Sequence, residues 1–193
     1  MTPEMFDPSQ LSGRNRRLLN EWKAMLSHFA MSSVVRLDVA RTNDLGLPVE
    51  YVVTYDIKSI SGVENEARLG EPGVETPPVF ARGFRLRISI PEGYPCIDAM
   101  PAYNFLTHTP DGEEIPHPWH PNIRYYGAFA GRVCVNQTDT YTDIAWTVER
   151  IAEYLRYDLY HAAAEPPYPE DLRVAQWVLS QGEPNGWIHF NQN

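Results

Sequence analysis

The stretch VEYVVTYDI, residues 49–57, alternates apolar with mostly polar side chains over nine positions. A period of two places every second side chain on one face, so this stretch predicts a β-strand with one buried face. The same alternation recurs at residues 35–39, 84–90 and, more weakly, 103–107. The runs are separated by turn residues at 43–46 and by a Gly-, Pro- and Glu-rich loop at 61–78. We therefore expect an antiparallel meander.

Helical periodicity flanks these strands. The first helix is predicted over residues 14–29, with an apolar stripe of Leu18, Leu19, Trp22, Leu26 and Phe29. A second follows Asp143 as its cap, with a stripe of Val148, Ile151, Ala152, Leu155 and Leu159. A third begins near Pro169 and stops near Gly182, with a stripe of Leu172, Ala175 and Leu179.

This order predicts an α+β fold, a four-stranded antiparallel meander with an N-terminal helix and C-terminal helices packed on it. A single domain is expected over residues 1–193, with residues 1–10 as a candidate flexible segment and residues 108–143 as an elaborated irregular segment.

Charge and apolar content narrow the classes of function. The net charge is −9 and the basic residues are scattered, which argues against nucleic-acid binding. Apolar runs are too short for a membrane span, and the first ten residues lack signal-peptide features, so a cytoplasmic protein is expected. The basic face of the first helix, with Arg14, Arg17 and Lys23, is either solvated or docks an acidic partner.

The irregular segment holds the candidate chemistry. Cys134 lies between two valines, which fits a buried, inert thiol, but an accessible thiolate would be a nucleophile. Asn122 follows Pro121, so its amide either bonds the local backbone or is aimed at a developing oxyanion. Zinc ligation by His117, His120, Cys134 and Cys96 is a further alternative, although their spacing is irregular.

The ordered set of motifs resembles the ubiquitin-conjugating enzyme family from about Arg14 to Leu179. Besides the predicted helices and strands, the set comprises PEGYP at 91–95, HPNI at 120–123, GRVCV at 131–135, Trp146 opening a helix, and PYPEDL at 167–172.

The resemblance implies a specific chemistry for these positions. Cys134 would accept the carboxyl terminus of a ubiquitin-like modifier from an activating enzyme, hold it as a thioester and pass it to a lysine of a target protein. Asn122 would stabilise the tetrahedral oxyanion, while His120 and Pro121 would be structural members of the turn. Asp171 would lie beside the incoming lysine, or would act only as a helix-start carboxylate. No metal or other cofactor is implied.

The sequence also departs from the family pattern. Asn122 and Cys134 are twelve positions apart because of the insertion RYYGAFAG at 124–131, and a second insertion occupies 108–119. Tyr94-Pro95-Cys96 and Thr147-Val148-Glu149 replace the motifs with which the family meets RING-type ligases. This divergence is similar to that of conjugating enzymes in bacterial ubiquitin-like operons, including antiphage defence operons. A catalytically silent binding module for a ubiquitin-like partner is the alternative function.

Overall fold

Helices and strands are segregated along the chain in a computed structural model, which describes residues 2–11, 13–96, 98–135 and 143–188. The elements in chain order are α1 (Gly13–Phe29), β1 (Val35–Thr42), β2 (Pro48–Tyr55), β3 (Ser59–Val63), β4 (Pro78–Ala81), β5 (Phe84–Ser89), β6 (Ala102–Phe105), α2 (Ile144–Arg156) and α3 (Leu172–Trp177). A single π-helical turn, Val178–Gly182, extends α3. The α+β class is confirmed.

Four strands form an antiparallel sheet in the order β1-β2-β5-β6, which confirms the predicted meander. The alternation that predicted β2 corresponds to burial, since Tyr51, Val53 and Tyr55 have no exposed surface. The Tyr55 hydroxyl donates to the Val148 carbonyl of α2 at 2.9 Å, so the sheet and the helix behind it are joined by a buried hydrogen bond.

The loop predicted at 61–78 is wrong at both ends. Its first residues belong to β3 and its last residue begins β4, and these two strands pair in a separate two-stranded antiparallel sheet. The pairing shifts register between Ile60 and Gly62, so the side chains of β3 do not alternate regularly. Without that alternation, the sequence carries no period-two signal for this strand.

The first two helices match their predicted positions. In α1 the buried side chains include Leu18, Leu19 and Trp22, but Met25 completes the buried face and the predicted Leu26 is 41% exposed. Asp143 caps α2 as predicted, because its carboxylate accepts the Trp146 N–H at 2.8 Å.

The predicted apolar stripes of the second and third helices differ from the structure. Helix α2 ends at Arg156, so Leu159 falls beyond it. In α3 the stripe is rotated: Leu172 and Leu179 are exposed, and the buried face is formed by Val174, Ala175, Trp177 and Val178. The helix starts at Leu172 rather than near Pro169, and the turn that extends it ends at Gly182, as predicted.

Two groups of buried side chains stabilise the fold. The larger lies between the four-stranded sheet, α1 and α2. The smaller joins β3, α3 and the irregular segment around Trp119, Tyr157 and Trp177, with Tyr125 and Tyr126 packed against it. Both predicted insertions therefore supply aromatic side chains to the second group.

The start of the chain packs on α1. Residues 3–5 and 8–10 form short 3₁₀ turns, and the Phe6 ring lies edge-on to Trp22 with 6.2 Å between ring centroids. Among the described residues, no helix has both the length and the apolar character needed to cross a membrane.

Candidate functional site

The insertion at 124–131 is the loop of a β-hairpin. An isolated antiparallel bridge joins Ile123 to Val133, and the Arg124 N–H donates to the Arg132 carbonyl at 2.8 Å. The inserted residues therefore form the loop of the hairpin, and the hydrogen bonds at its base are intact. The residues on either side of that base, including Asn122 and Cys134, stay opposite one another.

The returning strand of this hairpin lies along the free edge of β6. The Val133 N–H donates to the Tyr103 carbonyl at 3.0 Å, and the Phe105 N–H donates to the Gly131 carbonyl at 2.8 Å. Gly131 has φ +94°, and a Cβ atom there would lie 2.1 Å from the Phe105 carbonyl oxygen. Only glycine fits this approach, so the chain is held against the sheet three residues before Cys134.

The His-Pro-Asn turn is fixed by its own histidine. The Asn122 N–H donates to His120 Nδ1 at 3.1 Å, so the ring proton must be on Nε2, which donates to the Leu159 carbonyl at 3.2 Å. Burial lowers the pKa of His120 to about 3, and the bond to Leu159 opposes this. The ring stacks on Tyr154 at 5.1 Å between centroids. His120 is therefore neutral near pH 7, and both of its nitrogens are occupied.

Asn122 and Cys134 meet at the base of the hairpin. The Cys134 N–H donates to the Asn122 backbone carbonyl at 2.8 Å. The side-chain Oδ1 of Asn122 accepts the His161 N–H at 2.9 Å, which anchors the amide from the loop after α2. Among the described residues, the Nδ2 group of Asn122 makes no hydrogen bond. The amide is thus held by its oxygen, and neither of its two N–H donors is used within the described part of the chain.

Cys134 is partly exposed. Burial raises the pKa of its thiol, the negative charge of Glu170 raises it further, and the positive charge of Arg132 lowers it. A thiol with a raised pKa is mostly protonated near pH 7. Rapid labelling at neutral pH, which a low pKa would produce, is therefore not expected of the resting protein.

Asp171 is the cap of α3. Its Oδ1 accepts the Arg173 and Val174 N–H groups at 3.1 and 3.2 Å. Its Oδ2 accepts the Tyr125 and Tyr126 N–H groups at 2.9 and 3.4 Å. With 3% of its surface exposed, the carboxylate is committed to four backbone amides. This geometry favours the helix-start interpretation over contact with an incoming lysine.

The basic residues predicted to bind a partner divide into two groups. Arg14 Nη2 donates to the backbone at Pro91 at 3.2 Å, and Arg17 Nε donates to the Tyr94 hydroxyl at 3.1 Å. These two side chains hold the 91–95 turn against α1. Lys23 is exposed. Partner binding by this face stays a prediction.

Glu21 was not predicted, yet it connects three parts of the site's framework. It is 2% exposed, forms an ion pair with Arg17 at 2.5 Å and accepts the Tyr94 hydroxyl at 2.7 Å and the Ile144 N–H at 2.9 Å. A glutamate within a helical run gives no sequence signal of burial. It joins α1 to the start of α2 and to the 91–95 turn.

The zinc alternative finds no support in the part of the chain that the structure describes. No three His, Cys, Asp or Glu side chains come together there as a metal site would require. Both nitrogens of His120 are used by the backbone, and Cys96 is exposed on the turn beside Tyr94. His117 is buried, and neither of its ring nitrogens has a hydrogen-bond partner within the described ranges.

Comparison with known proteins gives similarity to solved structures alone. No family model matches the chain, and no curated protein matches it. A ubiquitin conjugating enzyme E2 of Plasmodium vivax aligns with 20% identity and a TM-score of 0.40, covering 72% of this chain and 98% of that one. A structure from Plasmodium yoelii, described as a candidate ubiquitin conjugating enzyme, aligns with 20% identity and a TM-score of 0.49, covering 90% of this chain and 89% of that one. Overlaps of this size do not assign a function.

Proposed function

We propose that the protein is a ubiquitin-like protein conjugating enzyme in which Cys134 carries a protein carboxyl terminus as a thioester. One observation carries the proposal: the partly exposed thiol lies at a closed hairpin base opposite Asn122, whose amide is anchored through Oδ1 and whose Nδ2 group makes no hydrogen bond to any residue that the structure describes. The other participants are an activating enzyme, a ubiquitin-like modifier and a target lysine. The cytoplasm and a bacterial ubiquitin-like operon, such as one for antiphage defence, are the proposed setting.

The proposed reaction has two steps. The Cys134 thiolate attacks the modifier's thioester on the activating enzyme; a new C–S bond forms, and the activating enzyme's thiolate leaves. A neutral target amine then attacks the same carbonyl and the C–N bond forms. The Cys134 thiolate leaves, and the protonated amine of the intermediate releases its proton to solvent water. In discharge the carbonyl oxygen passes through an oxyanion, at which the Asn122 Nδ2 donors would be worth about 2.7–4 kcal/mol.

Loading tests the first step. Wild-type protein and Cys96→Ser, the matched control for the other cysteine, should form an adduct with the modifier when incubated with activating enzyme and ATP. The adduct should disappear on reduction in a gel assay. Cys134→Ala should form none. A reductant-sensitive adduct on Cys134→Ala would refute the assignment of the nucleophile.

Discharge tests the second step. Asn122→Asp keeps an oxygen for the His161 N–H but has no Nδ2 donors. It should still load, and it should discharge to free lysine about a hundred to a thousand times more slowly than wild type. Discharge at the wild-type rate would remove Asn122 from the chemistry.

The partial burial and raised pKa of the Cys134 thiol favour one other function, a catalytically silent binding module. If the protein is such a module, wild type and Cys134→Ala should bind the modifier with the same affinity, and neither should form an adduct. Titration calorimetry beside the gel assay separates the two functions.

A further inference from the structure

Glu170 precedes the cap residue of α3, which the backbone joins to the turn that faces Cys134. The Asp171 N–H, next to Glu170, donates to the Pro121 carbonyl at 3.0 Å, and the following residue, Asn122, receives the Cys134 N–H at 2.8 Å. The first bond fixes the start of α3 against the His-Pro-Asn turn, and the second fixes Cys134 against the same turn. The side chain of Glu170 is 11% exposed, so its position is set by packing.

Two arginines of the hairpin hold this carboxylate. Arg132 Nη2 lies 2.7 Å and Arg132 Nε 2.8 Å from Glu170 Oε1, and Arg124 Nε lies 3.3 Å from the same oxygen. Two donors from Arg132 give the contact a defined orientation. The insertion therefore brings its own positive charge to the site.

Arg132 also lies on the strand face that carries Cys134. The two residues are two positions apart in an extended segment, with Val133 buried between them, so their side chains point to the same side. Among the described residues, Glu170 and Arg132 are the charged groups that act on the thiol, in opposite directions. Arg124 contributes through Glu170.

We propose that Glu170 and Arg132 form a charge pair that sets the reactivity of Cys134, with Glu170 disfavouring the thiolate and Arg132 favouring it. They are positioning residues that act through the sulfur. The effect of this charge pair on catalysis rests on the proposed function, in which the thiolate is both the nucleophile in loading and the leaving group in discharge. Glu170 then slows loss of the modifier to water, because it disfavours the thiolate as a leaving group, and Arg132 limits this effect until a partner changes the local charge.

The test needs no partner protein. In a Cys96→Ser background, alkylation of Cys134 by iodoacetamide is followed from pH 6 to pH 11. Glu170→Gln should move the midpoint of the pH profile down and raise the rate at pH 7 at least about threefold. Arg132→Gln should move the midpoint up and lower that rate, and the double variant should lie between them. Glu149→Gln, which removes an exposed carboxylate on α2 paired with His28, is the control and should match the background.

The two single variants break the same ion pair, so simple loosening of the hairpin would shift both in one direction. Equal acceleration by Glu170→Gln and Arg132→Gln, or unchanged midpoints in both, overturns the proposal. Where the wild-type protein loads, Glu170→Gln should also hydrolyse its thioester faster. Absence of loading in wild type refutes the proposed function alone, because the alkylation profiles decide the charge pair independently.

Discussion

Replacement of Asp171 separates a structural carboxylate from a catalytic one. Asparagine caps helices about as well as aspartate, so Asp171→Asn should keep the bonds to the Arg173 and Val174 N–H groups. Its NH₂ group would face the Tyr125 and Tyr126 N–H groups, which would lose their acceptor. Asp171→Ala would lose all four bonds.

The expected costs follow from these contacts. The bond from the Tyr125 N–H, 2.9 Å long and made to a charged acceptor, is worth about 1.5–3 kcal/mol, whereas the 3.4 Å contact from Tyr126 adds little. Loss of the cap adds about 0.5–2 kcal/mol. We therefore expect Asp171→Asn to cost about 1.5–3 kcal/mol and Asp171→Ala about 2–5 kcal/mol. For a chain of 193 residues each kcal/mol corresponds to about 2–4 °C in Tm.

Calorimetry measures Tm, and single-turnover discharge of a preformed thioester to free lysine, well below Tm, measures catalysis. Both variants should melt earlier, Asp171→Ala most, and Asp171→Asn should discharge within a fewfold of wild type. An Asp171→Asn protein with wild-type Tm and discharge slowed a hundredfold would show that the carboxylate acts on the amine and that the cap interpretation is wrong.

Three further predictions concern stability. Burial lowers the pKa of His117 to about 4 and that of His120 to about 3, so unfolding takes up protons below pH 6.5. The free energy of unfolding should therefore fall by about 1.4 kcal/mol for each histidine and each unit of pH decrease. His117→Phe should remove half of this slope in urea titrations between pH 4 and 6. Gly131→Ala should prevent folding or lower Tm far more than Gly127→Ala, which shares a positive φ but has open space around it; equal losses in thermal melts would contradict the close approach to β6. Glu21→Gln should cost about 1–3 kcal/mol, because Arg17 and two further donors, the Tyr94 hydroxyl and the Ile144 N–H, share that carboxylate. An unchanged denaturation midpoint would exclude Glu21 as a link between α1 and α2.

The parts of the fold that show a regular apolar period could be predicted from the sequence. Alternation in β2 and β5 and the apolar faces of α1 and α2 each follow from nearby residues, so they could be predicted from local patterns. The small sheet could not, because Gly62 interrupts the alternation of β3. The face of α3 was misplaced because a helix of six residues shows fewer than two turns of pattern.

For the candidate site, the sequence indicates which residues to consider but not which charged side chains lie around them. The positions of Cys134 and Asn122 follow from motifs close together in the chain. The partner of Arg132 is 38 positions away, and the chain offered several other carboxylates. The sequence places Asp171 at the start of a helix but does not assign its role. That role depends on the backbone N–H groups of Tyr125 and Tyr126, which belong to the insertion. Contacts of this kind depend on tertiary structure.

The pairing of residues 131–133 with β6 also bears on self-association. An uncovered strand edge is a template for another chain, and here one edge of the four-stranded sheet is occupied by the segment that carries the thiol. Intermolecular strand addition on that side would have to displace Cys134 first. The opposite edge, β1, has no such cover among the described residues, so any β-mediated aggregation should begin there and leave Cys134 in place.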